Sequence, residues 1–323
     1  MRAVVCTAFG PIDTLTLEER ESSPCGPGDV RVSVRAAGVN FVDALIVEGR
    51  YQIKPPLPYI PGSEAAGVVT EIGSEVASVA VGQRVTVNAF GGGYADELVT
   101  RAAQAVVVPD NMTDGQAATF AQSYLTAWFA LVARARAVPG QRLLVLGAGS
   151  GVGLAAVDVG ASLGLRVIAG ASSEAKRAAA VAAGAHDVVD TTGPNLKDRV
   201  RELSGGGVDL VYDPVGGELA DPALRALADD GQFLVIGFAS GTIPRLAANQ
   251  VLLRNRRVTG VDWGGWAGQH AAENRTLFGD VLGAIAAGRL RPVEPFCYPL
   301  AEAQAALHDL ANRRVVGKLA LVP

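Results

Sequence analysis

Arg142-Leu-Leu-Val-Leu-Gly147-Ala-Gly149-Ser-Gly151-Val-Gly153-Leu-Ala-Ala156 is the stretch on which the reading of the fold turns. A compact apolar strand runs into a glycine-rich turn, and the turn opens an alanine-rich helix. Glycines there let backbone N–H groups approach a pyrophosphate closely, and the helix N-terminus adds the positive end of its dipole. The strict G-x-G-x-x-G spacing is not met, because the sixth position counted from Gly147 is Val152. The turn gains weight from what surrounds it.

Outward from this stretch, short apolar strands alternate with helical segments. The strands are expected at 142–146, 165–169, 187–190, 208–212, 232–236 and 257–261. Helices are expected at 153–161, 174–183, 196–203, 218–227 and 246–254. Such βα alternation implies right-handed crossovers and a doubly wound parallel sheet of the Rossmann type, an α/β fold that binds dinucleotides. The first hundred or so residues read differently. Short alternating runs, at 30–34, 66–69, 83–87 and 105–108, are separated by Gly and Pro, as in a small β-barrel or sandwich, with one short helix at 42–47. After Trp263 a helix, a Pro-containing turn, another helix and a strand at 318–322 read as a return to that first domain. The expected division is therefore 1–122 with 264–323 around a nucleotide-binding insert, 123–263.

An acidic residue about twenty positions past the glycine turn would bind a ribose 2′-hydroxyl, and Ala171 stands at that place. Ser172, Ser173, Lys176 and Arg177 offer hydroxyls and cations suited to a 2′-phosphate, so the cofactor expected is NADPH. The bland alternative is that Lys176 and Arg177 decorate a solvated helix.

The chain has 323 residues, 28 Lys+Arg against 32 Asp+Glu, 39 Gly, 3 Cys and 3 His. A net charge of −4 with no basic run argues against nucleic acid or an anionic membrane as partner. The three Cys (Cys6, Cys25, Cys297) are widely spaced, against a disulfide framework or a clustered zinc site, and point to a reducing cytoplasm. No export signal is read at the N-terminus, and the longest apolar stretch, 143–157, is too short and too glycine-rich to span a bilayer. Tyr-x-x-x-Lys, Gly-x-Ser-x-Gly, P-loop and His-Glu-x-x-His signatures are absent. His186, His270 and His308 read as incidental.

Further segments carry a resemblance: 37–43 (Ala-Gly-Val-Asn-Phe-Val-Asp), 49–51 (Gly-Arg-Tyr), 57–67 (Leu-Pro-Tyr-Ile-Pro-Gly-Ser-Glu-Ala-Ala-Gly), Val81–Val85, Leu125-Thr126-Ala127, Asp213-Pro-Val-Gly216 and Gly317-Lys318. With the glycine turn they resemble, over nearly the full length, the zinc-independent quinone oxidoreductases (zeta-crystallin-like) of the medium-chain dehydrogenase/reductase superfamily. The resemblance implies that the β-rich part is a GroES-like catalytic domain. Zinc-dependent relatives have Cys near Asn40 and His where this chain has Ser63, so no metal is expected.

Carried over by position, the resemblance implies that Asn40 and Thr126 border the nicotinamide and that Gly149, Ser150, Gly151 and Val152 bind pyrophosphate. Ser172 and Lys176 would hold the 2′-phosphate, while Gly237, Phe238, Val261, Asp262 and Trp263 line the cofactor. Thr191 departs from the Tyr or His common after the third strand. Tyr51 matches a tyrosine over the nicotinamide ribose and is the candidate general acid, with Asn40 and Asp43 orienting groups around it. The reaction expected is hydride transfer from NADPH to a quinone or related enone. Reduction of an enoyl-thioester (acyl-CoA) or 2-alkenal is one alternative, and a structural or regulatory NADPH-binding protein is another. The resemblance also implies a homodimer, in which the edge strand at 258–261 would pair with its copy.

Overall fold

Every second residue of the run from Val30 to Val34 is apolar, and Val30, Val32 and Val34 are buried while Arg31 and Ser33 are partly exposed. That period of two is what makes a half-buried strand. The computed structural model describes residues 1–323, and the chain divides into two units, 1–121 with 294–323 and 122–293.

The first unit contains β1 (Arg2–Val5), β2 (Thr16–Glu19), β3 (Asp29–Val39), α1 (Phe41–Val47), β4 (Glu64–Ile72), β5 (Arg84–Asn88), β6 (Glu97–Arg101), β7 (Ala105–Val107) and α2 (Asp114–Thr119). The second contains α3 (Ala121–Trp128, its first residue in the first unit), β8 (Arg142–Leu146), α4 (Gly151–Ser162), β9 (Arg166–Ala171), α5 (Glu174–Ala182), β10 (Asp187–Asp190), α6 (Leu196–Leu203) and β11 (Val208–Asp213). It continues with α7 (Ala220–Ala226), β12 (Leu227–Val235), α8 (Ala248–Leu252), β13 (Arg257–Gly260), α9 (Trp263–Gln269) and α10 (Ala271–Ala286). The chain then returns to the first unit as β14 (Phe296–Pro299), α11 (Ala303–Ala311) and β15 (Leu319–Val322).

In the first unit β1 pairs with β2, and a second sheet runs β14-β15-β3-β4-β5-β7, with β6 also on β3. All its pairings are antiparallel except β14 with β15. The returning strand matters most for the site, because β15 lies beside β3 with Leu319 opposite Val39, one residue from Asn40.

The second unit is a six-stranded parallel sheet in the order β10-β9-β8-β11-β12-β13, reversing direction between β8 and β11. Leu143 to Leu146 are all 0% exposed, as a strand covered on both faces requires. The strands fall where the sequence places them, apart from β12, which begins at Leu227 rather than Gln232.

One expected boundary is corrected. Residues 264–293 belong to the second unit and not to the first. The Trp263 indole donates to Asn274 at 3.0 Å, and the Arg291 N–H donates to Asp158 of α4 at 2.7 Å, fastening both ends of this segment to that unit. Between them α10 buries Leu277, Phe278, Val281, Leu282 and Ile285. No helix is long and apolar enough to cross a membrane.

Candidate functional site

The glycine turn closes on itself through Ser150. This residue is the N-cap of α4: its hydroxyl donates to the Gly147 carbonyl at 2.8 Å and accepts from the Gly153 N–H at 3.1 Å. Ser150 thus holds the turn through its side chain as a helix cap does. A Cβ on Gly149 would sit 2.4 Å from the Lys176 Cβ, and one on Gly153 would sit 2.2 Å from the Gly147 oxygen. Neither position accepts a side chain. At the helix start, the N–H groups of Gly151 and Val152 precede any intrahelical acceptor and carry the positive end of the dipole. A pyrophosphate fits this cradle. Behind it, the buried Asp213 accepts from the N–H groups of Val215 and Gly216 at 2.8 and 2.9 Å. That turn sets Val215 against Gly147. Burial pushes the Asp213 carboxyl up from its ordinary pKa.

Beyond the turn, the four polar residues expected to meet a 2′-phosphate separate into two pairs. Ser173 is the N-cap of α5, accepting from the Lys176 N–H at 3.4 Å. Arg177 donates to the Ala171 carbonyl at 3.1 Å and pairs with Asp190 at 3.5 Å. Both therefore make contacts within the fold. Ser172 is exposed, and Lys176 lays its stem against Gly149.

At the far end of the same sheet a cavity of about 450 Å³ is lined by Phe129, Ile236, Gly237, Phe238, Val261 and Trp266, among others. Phe129 and Trp266 approach to 4.7 Å between ring centroids, and Trp266 stacks on His270 at 5.1 Å. Asp262, also in the lining, caps α9 by accepting from Gly265. Trp263 is not in the lining; its indole is spent on Asn274. Thr126 is half-buried on α3.

The first unit gathers a different kind of site. Asn40 is the N-cap of α1, and its N–H donates to Asp43 at 2.8 Å. Asp43 is fully buried and also accepts from the Tyr94 hydroxyl at 3.0 Å and the Ser63 hydroxyl at 3.2 Å. Desolvation raises its pKa to about 6, against the lowering effect of those three donors. The Tyr94 phenol is held well above its usual pKa by burial and by that neighbour. Gly62, at φ +92°, places its backbone flat on the Tyr94 ring, where a Cβ would come within 2.3 Å. On its other side the Asn40 carboxamide donates through Nδ2 to Glu64 at 2.8 Å and accepts through Oδ1 from the Lys318 ammonium at 2.6 Å. Lys318 also reaches Glu64 at 3.4 Å.

Tyr51 lies just beyond α1, its N–H bonded to the Leu45 carbonyl at 3.0 Å and its ring against the core of the first unit. Asn40, Asp43 and Tyr51 therefore all hang on α1 and its two ends. Asp43 faces inward as an orienting carboxylate. Glu64, Lys318, Ser63 and Tyr94 carry no assigned role in the sequence reading. The available signal was a charge at the head of each of two apolar strands, Glu64-Ala-Ala and Lys318-Leu-Ala, where burial demands a partner. The histidines are used locally: His186 accepts from Val167, and His308 pairs with Asp13.

Residues 26–134 match the family described as Alcohol dehydrogenase GroES-like domain, and residues 151–277 the one described as Zinc-binding dehydrogenase. Quinone oxidoreductase-like protein 2 of Rattus norvegicus is 36% identical over 99% of this chain and 91% of its own length. Among solved structures, a mycobacterial protein complexed with NADPH superposes with TM-score 0.91 at 31% identity, covering 100% of both chains. Escherichia coli quinone oxidoreductase complexed with NADPH gives 0.89 at 28%, again covering 100% of both. The chain belongs to the zeta-crystallin-like quinone oxidoreductase family of the medium-chain dehydrogenase/reductase superfamily, and is an oxidoreductase.

The zinc in the second family description does not fit these residues. A carboxamide and a hydroxyl stand at Asn40 and Ser63, and the nearby Glu64 is already bridged to the Lys318 ammonium. No group of three or more His, Cys, Asp or Glu is placed to hold a metal.

Proposed function

We propose that the protein is an NADPH-dependent reductase of quinones or related conjugated carbonyls. The observation that carries this reading is the pairing of a built dinucleotide cradle at Gly147–Gly153 with a hydrogen-bonding cluster at Asn40 that lacks metal-ligand chemistry. Gly149, Ser150, Gly151 and Val152 hold the pyrophosphate, Ser172 and Lys176 the 2′-phosphate, and Thr126, Gly237, Phe238, Val261 and Asp262 the nicotinamide end. When bound, NADPH supplies the hydride. An acceptor already activated by conjugation needs hydrogen bonds to its developing oxyanion more than a Lewis acid. Asn40 offers an amide donor, Tyr51 offers a phenol as donor or proton source, and Asp43 fixes the start of α1 from which both hang.

The test is to follow NADPH consumption with benzoquinone, phenanthrenequinone, an alkenal and crotonyl-CoA. Turnover of the quinones is expected to exceed that of the thioester. Tight NADPH binding without turnover of any acceptor would overturn the reading in favour of a binding protein. Tyr51→Phe is expected to lower turnover; unchanged rates at every pH would remove Tyr51 as the acid.

In this reading the protein is a homodimer of the cytoplasm. The edge strand β13 leaves Val258 exposed, close in sequence to the exposed Leu252 and Leu253, and a second copy would cover such an edge. Light scattering at micromolar concentration tests this, a monomer being the contrary result. The three free thiols suit a reducing compartment.

A further inference from the structure

A lysine ammonium can only donate hydrogen bonds, and an ionised carboxylate can only accept them. The Asn40 carboxamide lies between one of each, accepting from Lys318 at 2.6 Å and donating to Glu64 at 2.8 Å. Its two ends are therefore chemically distinguished: Oδ1 must face Lys318 and Nδ2 must face Glu64. A flipped amide would set Nδ2 against the ammonium and Oδ1 against the carboxylate, two repulsive contacts in a place where Asn40 is 8%, Glu64 0% and Lys318 7% exposed. With Oδ1 and one amide proton engaged, what the side chain has left is the second Nδ2 proton.

We propose that Lys318 and Glu64 are positioning residues that lock the Asn40 carboxamide, so that the site offers the acceptor's oxygen an N–H donor and never an amide oxygen. The proposal rests on the reductase reading above and sharpens its substrate class to acceptors whose reacting end is a carbonyl or quinone oxygen. Such an oxygen gains negative charge as hydride arrives, and a donor fixed beforehand stabilises that charge without reorganising. The lock also explains why a lysine near the end of the sequence reaches a helix cap 278 positions earlier. A surface ion pair would need neither the burial nor the bridging amide.

Three variants test this: Lys318→Met, Lys318→Arg and the double variant Lys318→Met/Glu64→Gln. Lys318→Met leaves Glu64 without its cation in a buried place, so it is expected to melt earlier as well as to lose activity. The double variant removes both charges and is expected to recover the melting temperature. It is not expected to recover turnover, because the introduced glutamine amide both donates and accepts and no longer tells Asn40 which way to face. Expected values are a fall of about tenfold or more in kcat for a quinone in both Met variants, with NADPH affinity changed less than about twofold, and substantial rescue by Lys318→Arg. Recovery of kcat together with stability in the double variant would show a merely structural role and overturn the proposal.

A second readout does not depend on turnover. In protein carrying isotope-labelled asparagine, the Asn40 side-chain amide is expected to give two well-separated proton resonances protected from solvent exchange. In the double variant those resonances are expected to move together and to exchange faster. If no acceptor is turned over yet this change is seen, the reductase reading fails while the lock stands. If the Asn40 resonances are the same in wild type and double variant, the lock itself is wrong.

Discussion

The two units build their candidate sites by opposite means. The second makes its cradle from backbone: Gly149 and Gly153 stand where any Cβ would collide, and α4 starts there behind its Ser150 cap. The first makes its site from buried side chains, Asn40, Asp43, Glu64, Tyr94 and Lys318, drawn from distant segments and hydrogen-bonded to one another. A backbone site is intolerant of added atoms, because nothing nearby can give way. A side-chain site tolerates changes of size better than changes of charge or donor pattern, since each group is specified by what its partner can accept.

Three substitutions sharpen this contrast. The largest effect is expected from Gly153→Ala, whose new methyl would lie 2.2 Å from the Gly147 oxygen. The turn must open to admit it, and NADPH affinity is expected to fall about 100-fold, roughly 3 kcal/mol, in a fluorescence titration. Affinity within a few-fold of wild type would show that the cradle is softer than its geometry.

Asp43→Asn is the isosteric test of the buried cluster. The Asp43 pKa is raised to about 6 in the fold, above the unfolded value of about 4. Between those values the folded state keeps a proton that the unfolded chain has released. This group's contribution to stability is thus fully present below about pH 4 and is lost as pH rises toward about 6, in total about 3 kcal/mol. Asparagine cannot titrate, so the melting temperature of the variant relative to wild type is expected to rise steadily from about pH 4 to about pH 6.5. A difference independent of pH would mean that Asp43 is ionised throughout.

The smallest effect is expected at the cofactor's other phosphate. Lys176→Ala is expected to weaken NADPH about tenfold and leave NADH nearly unchanged, as loss of one partly exposed cation from a phosphate contact should. Equal losses for both cofactors would mean that the Lys176 stem supports the Gly149 turn instead of reading the 2′-phosphate.

The same contrast decides how much could be read from the residues alone. The parallel sheet was legible because each strand is a short apolar run, and five of its six strands start within one residue of the expected place. The glycine turn was legible because backbone approach leaves a mark in composition. The segment from 264 to 293 was misread, because an amphipathic helix says that it packs but not on which unit. Asn40 and Asp43 stood out through the resemblance, yet their partners Glu64 and Lys318 stand at the heads of other strands and meet only through β3, β4 and β15 pairing. Such a cluster has no spacing to detect. Arg177 and Ser173 have the chemistry of phosphate ligands, and the same residue types serve as a strand-end ion pair and a helix cap.

The interrupted course of the chain bears on biosynthesis. Glu64 leaves the ribosome early, while its buried cation follows only after all of 122–293 has been made. During that interval β3 has no β15 beside it, Asn40 has no Lys318, and a carboxylate destined for complete burial lacks its cation. The nucleotide-binding unit, whose strands and crossovers are local in sequence, is free to fold first. The protein is thus expected to acquire the capacity to hold its cofactor before it acquires the capacity to use it.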